Sequence, residues 1–403
     1  MILIYFLIWR ILDFLIIFLS QKVIPYLGFF PYKDQLPGFN LPSWVSALAN
    51  FDGLHYISIA RDGYAQYEQA FFPLYPMLIK FLTPFFSNNQ LLTGLIISNV
   101  LFLLGLFVFY KYLRLISSDS IRFYPILSIL FLIAFPTSFF FGAVYTEGLF
   151  FLLVVSTLYF LKKQNYLLVF ILAFLASTTR LVGVFLTIPI AFHFINKYKN
   201  EIYRLDPRLR GDDKRLILNT KYLLLILSPL IGLGIYCFYL FKTTGDPFFF
   251  LTSQPIFGAN RSSHLILLPQ VYWRYFKIFV TAAHDSRFYV AVAEFSIFSF
   301  VLIILILDLI KNCLYSVASA KGYKLKIENY DRLGLNLFSL ANLILPTLTG
   351  TFSSIPRYSL FSLSFFIYLA QIKNVFVKYL ILLIFLFLHI LLLGYFTQGY
   401  FIS

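Results

Sequence analysis

Apolar residues along this chain neither alternate nor confine themselves to one helical face. They run almost unbroken at 2–24, 91–110, 123–141, 146–161, 166–179, 181–196, 222–241, 287–310, 333–350, 357–372 and 379–396. A helix needs about 20 such residues to cross a hydrocarbon core, where every backbone polar group must be satisfied within the element. The pattern predicts an all-α polytopic membrane protein, a bundle of about 11 transmembrane helices. Several runs are shorter than a perpendicular span requires, which leaves their boundaries soft.

The stretch 71–86 (FFPLYPMLIKFLTPFF) is apolar too, but Pro73, Pro76, Pro84 and Lys80 interrupt it. Proline removes a backbone donor and breaks helices, so a re-entrant or interfacial element is expected rather than a crossing. Charge supports that choice. With the N-terminus inside and 71–86 not crossing, the inner loops 111–122, 162–165, 197–221, 311–332 and 373–378 hold 20 of the 32 Lys and Arg. Letting 71–86 cross would invert every later loop and the bias with it.

Composition closes off other classes. Hydrophobic residues make up 60% of the 403 and charged ones 12%, against about 25% charged in ordinary globular domains. Together with 51 Phe and 29 Tyr, this excludes a soluble enzyme, a disordered chain and a secreted disulfide scaffold. The net charge of +15 follows from the basic inner loops, and a nucleic-acid partner is not expected. Cys237 and Cys313 form no metal or disulfide pattern. The first run lacks a signal peptide's basic start and cleavage site, and reads as a retained span.

The chain therefore reads as one membrane domain over 1–403, with two long outer segments, 25–90 and 242–286, and a basic inner loop, 197–221. The outer segments are rich in aromatics, Pro and Gly, and are expected to pack together above the bilayer. Within the inner loop, LDPRLRGDDK resembles a translated bacterial palindromic repeat and hints at a bacterial source.

In this arrangement seven acidic residues fall at or near the outer face: Asp34, Asp52, Asp62, Glu68, Glu147, Asp246 and Asp285. The segment Asn50–Tyr64 (NFDGLHYISIARDGY) predicts a helix over 51–62, with Asn50 as its N-cap and Gly63 as its stop. Asp52, His55, Tyr56 and Ile59 then share one face. Asp52 could serve as a base, or simply favour the helix dipole. His55 could be an interfacial histidine, and Asp62 could pair with Arg61 or Arg180. Pro136 and Gly142 break two runs and deliver Tyr145 and Glu147 near the outer boundary, where Glu147 is expected to pair with Arg180 in a polar cavity. Farther on, Arg261 lies in the second outer segment, and Arg357, at the outer end of a span, could hold a phosphate bidentately or snorkel to the headgroups. No nucleotide-binding glycine motif occurs, so an enzyme working on that face must draw an activated substrate from the membrane.

At these residues the chain resembles a known family. FDGLHYISIARDGY followed by AFFPLYPMLIKFL is similar to the signature of Pig-V-type mannosyltransferases, the family of the enzyme that adds the second mannose to glycosylphosphatidylinositol. FPTSFFFGAVYTEGLFFLL, LASTTRLVGVFL, TGDPFFFLTSQ and IPRYSLFSLSFF follow in order, so the likeness covers roughly 44–365. Phe51 and His55 stand where tryptophan is common. The resemblance implies a GT-C glycosyltransferase with a large first outer loop. Such an enzyme would move a hexose, mannose first, from a polyprenyl-phosphate sugar to a glycan or lipid acceptor, with inversion. It would work on the non-cytosolic face, here the periplasmic side of a bacterial inner membrane. Asp52 is then the general base. Arg180, Arg357 and Arg261, in that order, stabilise the leaving phosphate, and Glu147 and Tyr145 orient the acceptor or hold the arginines. His55, Tyr56 and Asp62 support the first-loop helix and the substrate. No cofactor and no metal is implied. The other class that fits is a transporter or flippase of lipid-linked sugars, with Glu147 and Arg180 marking its pathway.

Overall fold

The structure, a computed structural model, describes residues 1–27, 33–117, 124–205, 220–257, 261–262, 264–320 and 329–402. Among these the chain is helical, with no strand. The central part of the basic inner loop, 206–219, lies outside the described residues.

Each of the eleven apolar runs forms a helix or two or three helical pieces. Five are long and apolar enough to cross a membrane: Ile2–Val23, Gln90–Ile116, Tyr222–Thr244, Ser286–Cys313 and Val375–Thr397. The others are short or broken where the sequence places proline or a charge. Tyr124–Ala134 stops before Pro136 and restarts as the 3-10 turn Ser138–Gly142. Tyr166–Thr179 ends at Arg180, and Leu181–Leu186 continues as a 3-10 stretch into Thr187–Leu205. Broken backbone at membrane depth is tolerated only where protein or a wet cavity covers it. Here Ser138–Gly142 is wholly buried.

The bundle has its apolar surface outside. Ile11, Phe238, Ile303, Leu383 and Phe387 are exposed, whereas Arg10, Asp13, Asp308, Asn336 and His389 are buried. Lipid, not water, suits such an exterior. Buried charges must then be paired. Arg10 Nη1 donates to Asp13 Oδ2 at 2.9 Å, and His389 Nε2 lies 2.8 Å from Asp13 Oδ1. That triad ties the first helix to the last. Ser20 Oγ and Thr397 Oγ1 meet at 3.1 Å near the C-terminal ends of the same two helices. The first and last helices therefore run parallel, and residues 24 and 398 leave the bundle at one end.

Two glycines let the broken segment before Glu147 sit close to its neighbours. A Cβ on Gly142 would fall 2.5 Å from Arg10 Nη1, and one on Gly148 would fall 2.5 Å from the Ser98 carbonyl oxygen.

The interrupted stretch 71–86 folds as Leu74–Leu82 and a 3-10 turn, Thr83–Phe85. Nine helical residues rise only about 14 Å, under half of the ~30 Å a crossing needs. The segments 25–90 and 242–286 meet through aromatics: Tyr67 stacks on Phe249 at 6.1 Å, and Phe72 packs edge-on to Phe250 at 5.4 Å.

Candidate active site

The first-loop helix runs Asp52–Asp62 and stops at Gly63 (φ +87°), as its sequence predicts. Its start differs from expectation. Phe51, not Asn50, occupies the N-cap position, with φ +57°. A non-glycine residue held there costs on the order of 1–3 kcal/mol, and the surroundings must enforce it. They do so through Asn50, whose Nδ2 donates to the Phe396 carbonyl at 3.1 Å, and through Tyr145, whose hydroxyl donates to the Asn50 carbonyl at 2.8 Å. Asn50 is thus a clasp to the last helix rather than a cap.

This clasp presents Asp52 to a cavity of about 640 Å³. Arg357 reaches the same point from Ile355–Tyr358, and its Nη1 donates to Asp52 Oδ2 at 2.7 Å. Arg357 Nε lies 3.3 Å from Glu147 Oε1, a charge contact without hydrogen-bond geometry. Glu147 opens the helix Glu147–Lys162, is fully buried, and pairs with Arg180. Arg180 Nη1 also donates to Thr146 Oγ1 at 3.0 Å, and its guanidinium lies over the Tyr358 ring at 4.7 Å. Asp52, Arg357, Glu147 and Arg180 thus form one chain of alternating charge. The predicted Glu147–Arg180 pair is present.

Burial alone would raise the Asp52 carboxyl. The charge and hydrogen bond of Arg357, aided by His55 and Arg261, outweigh it and hold Asp52 below the usual carboxylate range. Its side chain is 25% exposed, so the carboxylate is both ionised and open to the cavity.

Arg261 arrives from the second outer segment. It donates to Gln254 Oε1 at 3.0 Å and to Ser354 Oγ at 3.1 Å, both neutral acceptors. Arg180 and Arg357 are offset by Glu147 and Asp52, whereas the contacts of Arg261 bring no countercharge. This difference in charge balance could not be read from position along the chain.

Tyr56 lines the cavity and is buried against Phe71 and Tyr75, with ring centroids 5.1 and 5.3 Å away. Tyr145 is not on the cavity wall. Its hydroxyl donates to the Asn50 carbonyl, and the Arg357 guanidinium lies over its ring at 5.4 Å, so it helps to hold that arginine. Asp62 is not brought to the site at all: it is exposed at the far end of its helix and pairs with Arg61 at 2.8 Å. Ten residues along a helix carry it about 15 Å from Asp52.

His55 lines the cavity, and its Nδ1 lies 2.9 Å from Glu68 Oε1. Glu68 carried no site signal beyond its acidity, since only the turn after Gly63 folds it back onto His55. Gln254, His264, Ser354 and Tyr358 also line the cavity or hold its arginines.

The cavity is strongly apolar elsewhere. Leu181, Val184, Phe185, Leu345, Pro346 and Leu348 line it together with Phe71 and Phe72. Among the described residues, none between 73 and 178 lines it.

The family model for mannosyltransferase (PIG-V) matches residues 1–247. No curated protein matches the chain. The match covers Asp52, Glu147 and Arg180 and ends before Arg261 and Arg357, so it is shorter than the likeness first read over 44–365. It spans more than half of the 403 residues and agrees with a bundle of membrane-crossing helices. The chain belongs to the PIG-V mannosyltransferase family and is a glycosyltransferase of the membrane.

Proposed function

We propose that the protein transfers a hexose, mannose first, from a polyprenyl-phosphate donor to a glycan or lipid acceptor, with inversion at the anomeric carbon. The observation that supports this reading is the convergence of Asp52, Arg357 and Arg261 on one cavity that also has a broad apolar stretch of wall, from Leu181, Val184, Phe185, Leu345 and Leu348. An anionic head and a prenyl tail need those two surfaces side by side.

Asp52 takes the proton of the acceptor hydroxyl, a role that needs an ionised carboxylate within about 3 Å of that hydroxyl in the productive complex. The new C–O bond forms as the anomeric C–O bond to phosphate breaks, and its electron pair leaves on the lipid phosphate. Cationic donors aimed at that growing charge lower the barrier. Arg261 is the first of them, because its present partners are neutral. Arg357 stands between base and phosphate, and Arg180 supports it through Glu147. Tyr56 and His55 shape the wall beside Asp52. The charge bias of the loops supports a non-cytosolic site, the periplasmic face in a bacterial cell. The bundle holds about 11 crossings in this reading, with Leu74–Leu82 as a re-entrant or interfacial helix.

Asp52→Asn tests the proposal in membranes given radiolabelled polyprenyl-phosphate mannose. Label should leave the donor about 10²–10⁴-fold more slowly, with normal yield of folded protein. Transfer at the wild-type rate would remove Asp52 as the base.

A further inference from the structure

The site contains a second acid–base pair that the transfer step leaves unused. His55 lies one helical turn after Asp52, on the same face and on the wall of the same cavity. Its ring is held on two sides. Phe71 stacks on it at 4.9 Å with an interplanar angle of 19°, and Glu68 Oε1 meets Nδ1 at 2.9 Å. Glu68 is buried, and its other oxygen accepts the Ala65 amide at 3.0 Å. A carboxylate that already accepts there fixes Nδ1 as the protonated nitrogen and leaves proton exchange to Nε2. The turn does not need His55 as a brace, because the Tyr64 hydroxyl already closes it by donating to the Phe71 carbonyl at 2.7 Å.

Asp52, by contrast, cannot keep the proton it receives. Once neutral, it leaves Arg357 without its closest countercharge in a mostly buried place. The proton must move on before the next turnover.

We propose that His55, held by Glu68, is the relay that carries the acceptor's proton from Asp52 to water. The inference rests on Asp52 as the base. The proton passes from the protonated carboxyl to Nε2, and the imidazolium so formed faces the Glu68 carboxylate. It then loses the Nε2 proton to solvent, which restores the neutral ring and the Asp52–Arg357 pair. No atom is gained or lost beyond the proton released in transfer. A carboxylate behind a histidine stabilises the imidazolium in the same way in serine hydrolases.

The test uses the full chain in membranes with radiolabelled polyprenyl-phosphate mannose, scored as label leaving the donor. His55→Ala should slow turnover about 10²-fold. Added imidazoles should restore it, with rates that rise with the basicity of the imidazole and not with its size. His55→Gln, which can keep a hydrogen bond to Glu68 and so the fold, should be as slow as His55→Ala. Glu68→Gln should slow the wild-type enzyme but leave the imidazole-restored rate of His55→Ala unchanged. Wild-type turnover in His55→Gln, or rescue that follows size alone, would overturn the relay and leave Asp52 as base intact. Wild-type turnover in Asp52→Asn would overturn the parent reading instead.

Discussion

Arg357 donates to Asp52 at 2.7 Å although 305 residues separate them. The bond joins the first outer segment to a short turn near the end of the chain, and it closes the cavity between them. It also sets the resting state of the Asp52 carboxyl, since a carboxylate held by a guanidinium stays ionised but is weakly basic. A donor phosphate that draws Arg357 away would leave Asp52 the stronger base at the moment of transfer.

That ion pair has a pH signature. Arg357 outweighs burial and depresses the folded-state pKa of Asp52. The stabilisation is therefore present above the unfolded value, about 3.9, and is lost as pH falls through the folded one. Thermal midpoints of wild type and Asp52→Asn in detergent should differ at neutral pH and converge below about pH 4. A gap of constant size down to pH 3 would show that the Asp52 charge is not what separates them.

Glu147 is fully buried between Arg180 and Arg357. Glu147→Gln leaves Arg180 without its carboxylate, and breaking a buried pair in this way costs about 3–5 kcal/mol. Yield and thermal midpoint should both fall sharply. Asp62→Asn, at the exposed end of the first-loop helix, should change neither these nor transfer.

Arg261 has neutral partners, so its removal should spare the fold and weaken the donor. Charge-assisted hydrogen bonds contribute about 1.5–3 kcal/mol, so Arg261→Ala should raise the donor KM roughly 10- to 150-fold, with yield unchanged. Arg261→Lys should recover part of the loss, because it restores the charge but not the fork. An unchanged KM would leave the phosphate to Arg357 and Arg180.

Gly142 marks where the broken segment presses on the first helix. Gly142→Ala puts a methyl 2.5 Å from Arg10 Nη1, whose Nη2 donates to the Gly142 carbonyl at 3.3 Å. Overpacking of this kind costs about 1–3 kcal/mol. A lowered thermal midpoint is expected, and transfer should fall with it because Tyr145 and Glu147 follow directly. An unchanged midpoint would mean that Arg10 swings aside freely.

Much of the fold was legible from apolar run length alone. Each of the eleven runs is helical, and the stretch with Pro73, Pro76 and Pro84 folds as the short pieces Leu74–Leu82 and Thr83–Phe85. Much of the site was legible by residue type. Asp52, His55, Tyr56, Arg180, Arg261 and Arg357 meet on one wall, with Glu147 directly behind. Asp62 failed because an acidic residue beside Gly63 looks the same whether it faces the cavity or its neighbour Arg61. Glu68 was missed as the partner of His55 because a turn, not a period, brings them together. Asn50 looked like a cap because its clasp to Phe396 lies 346 residues away.

The sequence by itself determined that this is a helical membrane protein, because hydrocarbon imposes helix length and apolar composition without regard to partners. Only the tertiary structure decided which acid meets which arginine. Those pairings depend on how helices from opposite ends of the chain close on one another, and the energy of an ion pair depends on that distance and on burial, neither of which is written in local order.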